Sequence, residues 1–171
     1  MFFVKRYKFI VIAIITFVIN YGLDRISKNI AKMFLENHEP IKVIGNIFVL
    51  TFSENIGAFL SLGANWNVNL KYIIFLIIPI IICVIALVYV LIIEKKTYRI
   101  ILITTIISGG IGNLFDRLLN NFEVIDFMNF GIGKLRTGIL NIADLSITFG
   151  VIILIIYELM KTKSIDKKLI E

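Results

Sequence analysis

The sequence predicts a mainly α-helical membrane protein: four transmembrane helices carrying a small extracytoplasmic β-sheet, in a single domain over residues 1–171. Three observations predict it. Hydrophobic residues make up 58% of the chain and the mean hydropathy is +0.93, above the roughly half-apolar composition of soluble domains. The charged residues, only 18% of the chain, cluster around four apolar runs. Between the first two runs, long apolar stretches give way to short alternating ones.

The first run, about 9–23, is short for the roughly 20 residues a bilayer crossing needs, but it can continue as a polar-faced helix through Lys32. Lys5, Arg6 and Lys8 precede it as in a signal peptide. No small-x-small cleavage site follows, only NYGLDRISK, so a retained helix is expected. Across about 36–62, PIKVIGNIFVLTF alternates β-branched and aromatic residues with turn formers, the pattern of short strands. The second run, about 70–93, contains Pro79, expected to kink it. The third covers about 100–119 and the fourth about 140–160. Ten of the eighteen Lys and Arg lie in the 25 residues of 1–8, 94–99 and 161–171. By the positive-inside rule those stretches and both termini are cytoplasmic, and the two long connections are outside.

Composition also excludes chemistries. Cys83 is the one cysteine, inside an apolar run, where packing is the ordinary role. His38 is the one histidine and falls in a polar loop, which excludes a multi-histidine metal site and argues against a Ser-His triad. No metal or cofactor is expected. The net charge of +6 comes from membrane flanks rather than a basic stripe, so no nucleic acid is expected as partner.

Sixteen residues separate Lys8 from Asp24, seventeen Arg99 from Asp116, and seventeen Asp144 from Lys161. At about 1.5 Å per residue, each carboxylate lies about 24–26 Å from its basic anchor. The hydrocarbon core is about 30 Å thick, so three helices bring an aspartate to one level near the outer boundary. Asn20, Ser27 and Lys28 share a helical face with Asp24, as Asn113 does with Asp116 and Arg117, and Asn141 precedes Asp144 by one turn. Asn55 in ENIGAF and Asp126 in EVIDF add polar groups from the outer connections.

Each residue has a plain structural reading. Asp24 and Lys28 suit an i, i+4 ion pair, and Asn141 with Asp144 suits a helix cap. Asp116 and Arg117 suit an interfacial anchor, Gly109, Gly110 and Gly112 close packing, and Asp126 a turn. Their coincidence at one depth favours function, because intramembrane ionisable groups are costly. Two aspartates held close share a proton. The charged member can take a proton from water and the neutral one can donate to a carbonyl oxygen or leaving amine, which hydrolyses a peptide without Ser, Cys or metal.

Five ordered motifs resemble those of the lipoprotein signal peptidases (signal peptidase II), the bacterial membrane aspartyl peptidases, across nearly the whole chain. DRISK at 24–28 is similar to D-x-x-[ST]-K, and NIGA at 55–58 to N-x-G-A. GGIGNLFDR at 109–117 matches G-x-x-G-N-x-x-D-R, VIDF at 124–127 matches V-x-D-F, and NIAD at 141–144 matches N-x-A-D. The resemblance implies Asp126 and Asp144 as the catalytic pair. Asp24, Lys28, Asn55, Gly57, Gly109, Asn113, Asp116, Arg117, Asn141 and Ala143 are implied to support the fold or bind substrate. It further implies cleavage of prolipoproteins before their diacylglyceryl-modified cysteine, in the bacterial cytoplasmic (inner) membrane. The site would lie near the outer-leaflet boundary, with lipidated precursor and membrane lipid as partners. A monomer is expected, although the residues themselves do not set the oligomeric state. Phe59, Leu60, Leu140, Leu145 and Glu54 depart from the usual pattern, which bears on lipid-pocket shape and substrate preference.

A proton-coupled membrane carrier using the same carboxylates is the rival reading, and a non-catalytic scaffold a further one. Against the carrier, the polar residues gather at one boundary and none at the midplane, where transport sites are expected. Asp116, the conspicuous charge of the third run, is demoted to scaffold by the resemblance.

Overall fold

The structure, a computed structural model, describes residues 2–58 and 62–170, with side chains over 6–58 and 62–161. Phe59 and Leu60 lie outside the described residues. The chain runs α1 (Phe2–Leu35), β1 (Ile41–Ile44), β2 (Phe48–Asn55), α2 (Val68–Ile93), α3 (Thr97–Leu119), β3 (Val124–Ile132), β4 (Leu135–Leu140) and α4 (Ile142–Ile170). Among the described residues four helices are long and apolar enough to cross a membrane. Ile14, Val18, Ile85 and Ile92 are more than half exposed on them, a surface that suits lipid rather than water.

As the polar-faced continuation through Lys32 anticipated, α1 runs past Leu23, to Leu35. Its 34 residues extend about 51 Å, longer than a hydrocarbon core of about 30 Å, and the segment beyond Asp24 supports the sheet. Ala31 and Leu35 pack there against Phe127 and Met128 of β3. The helix ends where Asn37 takes a left-handed conformation (φ 61°) and His38 N–H bonds to Leu35 C=O. In α2, Pro79 is the second residue of the α-helical middle section, which starts at Ile78 directly after a π-helical turn at Ile73–Ile77. The ring cannot donate an N–H, and the disturbance expected there takes the form of this wider turn.

The sheet is larger than the sequence reading made it. Its order is β1-β2-β3-β4, antiparallel throughout, and half of it comes from the connection between α3 and α4 rather than from 36–62. VIDFMNFGI gives no alternation because its first five residues are all buried, and a short run buried on both faces has no period-2 signature. Gly133, left-handed at φ 59°, and Lys134 form the two-residue turn into β4. The fourth helix also begins later than 140: Leu140 closes β4 and Asn141 precedes the helix.

α3 packs against α1 and α4 through its glycines. A Cβ on Gly109 would sit 2.5 Å from the Ala143 carbonyl oxygen, and one on Gly112 would sit 2.7 Å from Asp24 Oδ2. Gly109→Ala is expected to cost about 1–3 kcal/mol, since the obstructing atom is backbone and the helices must separate. Thermal unfolding of the detergent-solubilised variant checks this; an unchanged midpoint would contradict it.

At the end of the bundle away from the sheet, the Arg6 guanidinium donates to the Val90, Leu91 and Glu94 carbonyls at 2.8, 2.5 and 2.8 Å, tying α1 to the last carbonyls of α2. Burial opposes ionisation of the neighbouring Glu94. Hydrogen bonds from Tyr89 Oη, the Lys96 and Lys95 N–H groups and Arg99 outweigh it and bring the carboxyl down to about 2.

Candidate active site

The site forms where the sheet meets the C-terminal halves of α1 and α3 and the N-terminal end of α4. Asn141 and Asp144 make a reciprocal cap: Asp144 N–H donates to Asn141 Oδ1 at 2.8 Å, and Asn141 N–H donates to Asp144 Oδ2 at 3.2 Å. The cap expected from the sequence is therefore real, and it also fixes the carboxylate. Asp144 Oδ1 accepts from Asn113 Nδ2 at 2.8 Å.

Asp126 is no turn residue. It lies in β3 opposite Ser53 of β2, only 2% exposed. Its Oδ1 accepts from Asn141 Nδ2 at 2.7 Å and its Oδ2 from Asn55 Nδ2 at 3.1 Å. Burial, and then the nearby Asp144 carboxylate, push the Asp126 carboxyl up from 3.8 to about 7 against the opposing bonds from Asn55 and Asn141. Asp126 and Asp144 line one cavity of about 130 Å³ together with Asn55, Gly57, Asn113 and Arg117, room for a peptide group and a water. Leu140 and Asp144 also border an apolar cavity of about 640 Å³ beside Phe130, Leu145 and Phe149.

The segment after β2 is tied to the same place. Asn55 Oδ1 accepts from Gly57 N–H at 2.9 Å, while its amide also donates to Ala58 C=O. Arg117 Nη2 donates to Gly57 C=O at 2.7 Å, its guanidinium 5.7 and 5.9 Å from the Phe75 and Phe122 ring centres. Phe122 itself is held left-handed (φ 73°) in the tight turn between α3 and β3, which delivers Asp126 nine residues after Arg117.

Asp24 and Asp116 are absent from this cavity lining. With Arg25 and Lys28 they form a cluster of two cations and two anions. Arg25 bridges Asp24 at 2.6 Å and Asp116 at 2.5 Å, and Lys28 Nζ lies 3.0 and 2.7 Å from the same two carboxylates. Asp24, Lys28 and Asp116 are each 1% exposed. Asp24 Oδ1 also accepts the Ala143 N–H at 3.0 Å, so the ion cluster anchors the first turn of α4. Ser27 bonds to the Asp24 carbonyl, and Asn20 bonds to Thr16 and Ser146; neither joins the cavity. Sequence reasoning missed Arg25. It neighbours Asp24 in sequence but belongs to no i, i+3 or i, i+4 pattern with it, and only the approach of α3 reveals its partner. Among the described residues, no three His, Cys, Asp or Glu side chains are grouped so as to hold a metal ion.

A family model described as "Signal peptidase (SPase) II" matches residues 10–160. The chain is 39% identical over 150 residues to the lipoprotein signal peptidase of Borrelia hermsii, covering 84% of this chain and 88% of that protein. It is 34% identical over 160 residues to the lipoprotein signal peptidase of Francisella tularensis subsp. novicida, covering 92% and 95%. The fold is similar to a solved structure described as a bacterial membrane enzyme, determined by the in meso method at 2.3 Å resolution. The TM-score is 0.76 at 28% identity, over 89% of this chain and 90% of that one. With motifs, fold and relatives in agreement over most of its length, the chain belongs to the signal peptidase II family of membrane aspartic peptidases.

Proposed function

We propose that this protein removes the signal peptide from diacylglyceryl-modified prolipoproteins, cleaving before the lipidated cysteine, with Asp126 and Asp144 as its catalytic pair. The observation that carries the reading is the shared cavity: two carboxylates from separate elements face it, and one of them is pushed up to about 7. Asp144 takes a proton from a water as that water attacks the scissile carbonyl, and protonated Asp126 donates to the carbonyl oxygen. In collapse, Asp144 gives its proton to the departing amide nitrogen while Asp126 takes one back from the diol. Both groups return to their starting states. The adjoining apolar cavity suits the acyl chains of the modified cysteine.

The protein works as one unit in the bacterial inner membrane. Both termini are cytoplasmic, the site is at the outer-leaflet boundary, and the enzyme is a monomer needing no cofactor and contacting no nucleic acid. Reconstitution in lipid with a lipidated precursor tests the activity: mass spectrometry should find a free signal peptide ending just before the modified cysteine. An intact precursor would refute it.

The raised Asp126 carboxyl sets a pH dependence. Cleavage should fall about tenfold per pH unit above about 7, as the general acid loses its proton. The stability sign is the reverse of an ordinary ion-paired acid. Folding raises this carboxyl from 3.8 to about 7, so the folded state holds more protons between those values and stability falls as pH rises through that window. Rate–pH profiles and unfolding midpoints from pH 4 to 9 check both.

A further inference from the structure

The two asparagine amides beside the carboxylates each have two possible orientations, and only one presents NH2 to the acids. We propose that Lys28 is a positioning residue that selects this orientation, acting on Asp144 through Asn113. Lys28 Nζ donates a hydrogen bond to Asn113 Oδ1 at 3.0 Å and forms ion pairs with Asp24 Oδ2 at 3.0 Å and Asp116 Oδ2 at 2.7 Å. Arg25 supplies the second positive charge to the two aspartates, so a Lys28 proton is available for the amide oxygen.

The consequence passes along the chain of groups. Asn113 Oδ1, held toward Lys28, also accepts from Asn141 Nδ2 at 3.1 Å, and Asn113 Nδ2 is thereby turned to Asp144 Oδ1 at 2.8 Å. Asn141 is fixed in the same sense, its Oδ1 taken by Asp144 N–H and its Nδ2 directed at Asp126 Oδ1 at 2.7 Å. A flipped Asn113 would set its carbonyl oxygen against the Asp144 oxygen and face Lys28 with donors. Lys28 is buried with Asn113, so water cannot easily replace the bond.

This inference rests on Asp144 being the general base, and the experiment separates the two. Asn113→Asp is nearly isosteric and still offers acceptors to Lys28 and Asn141, but replaces the donor facing Asp144 with a carboxylate oxygen. It should lower kcat by about 10–100-fold with KM within threefold, and move the acidic limb of the rate–pH profile to higher pH. Lys28→Met should shift the same limb in the same direction. Arg25→Gln is the control: Arg25 touches the same aspartates but neither amide, so it should lower the unfolding midpoint and leave the profile in place. A wild-type rate and profile for Asn113→Asp would overturn the inference even if Lys28→Met fails to fold, as would Arg25→Gln shifting the limb as far as Lys28→Met. If Asp144→Asn itself cleaves normally, the underlying assignment fails instead.

Discussion

Asp126→Asn and Asp144→Asn should each reduce cleavage of a lipidated precursor by about 10³-fold or more while the protein still accumulates in membranes. General acid and general base steps each contribute on the order of 10²–10⁴ in rate, and neither carboxylate has a substitute along the cavity wall. Asn retains the size of Asp and one acceptor oxygen, but at position 126 its NH2 would meet the donor of Asn55 or Asn141, so activity is read per folded molecule. Cleavage in vesicles, normalised to folded enzyme, measures the effect. Full cleavage by either variant would sink the pair. Activity in Asp126→Asn alone would promote Asp116 to second acid, and tolerance of every aspartate change would favour a scaffold. Asp166→Asn in the C-terminal tail should be silent and serves as the control.

Asp116→Asn should do the opposite: destabilise strongly and spare the chemistry. Removing this carboxylate leaves Arg25 and Lys28 facing Asp24 alone, two cations to one anion, with Lys28 only 1% exposed. Breaking a buried charge pair from one side typically costs about 3–5 kcal/mol, because the surviving charge is left uncompensated. The partly exposed Arg25 can regain some water, which places the expectation toward the lower figure. Denaturant titration in mixed micelles should show the loss, while kcat per folded molecule stays within about tenfold of wild type. A wild-type unfolding curve would mean that the cluster contributes little net stability. A loss of turnover as deep as that of the dyad variants would return Asp116 to the chemistry.

These two results would separate what the sequence presents as equals. Asp24, Asp116 and Asp144 stand at one depth by residue counting, and the fold does bring all three into one connected network. Yet it divides them: two neutralise cations, and the third faces the cavity beside Asp126. The counting used helical rise alone, which fixes height but not azimuth. Likewise the Asn141–Asp144 spacing announced a cap, and nothing local reveals that the cap also aims a carboxylate. Arg25 was invisible because its partner lies 91 residues away.

By itself, the sequence determined the class, the four spans, the strands of 36–62 and the set of polar residues that gather at one end of the helices. Apolar run length, helical rise and period-2 alternation are local properties that survive without tertiary contacts. Only the tertiary structure decided that the end of α1 packs on the sheet at Leu35, that the connection between α3 and α4 supplies half of the sheet, and that Asp126 sits in a buried strand rather than a turn. Those features depend on burial across elements far apart in the chain. A strand covered on both faces has no period to read, and a carboxylate's partners are set by which helices meet.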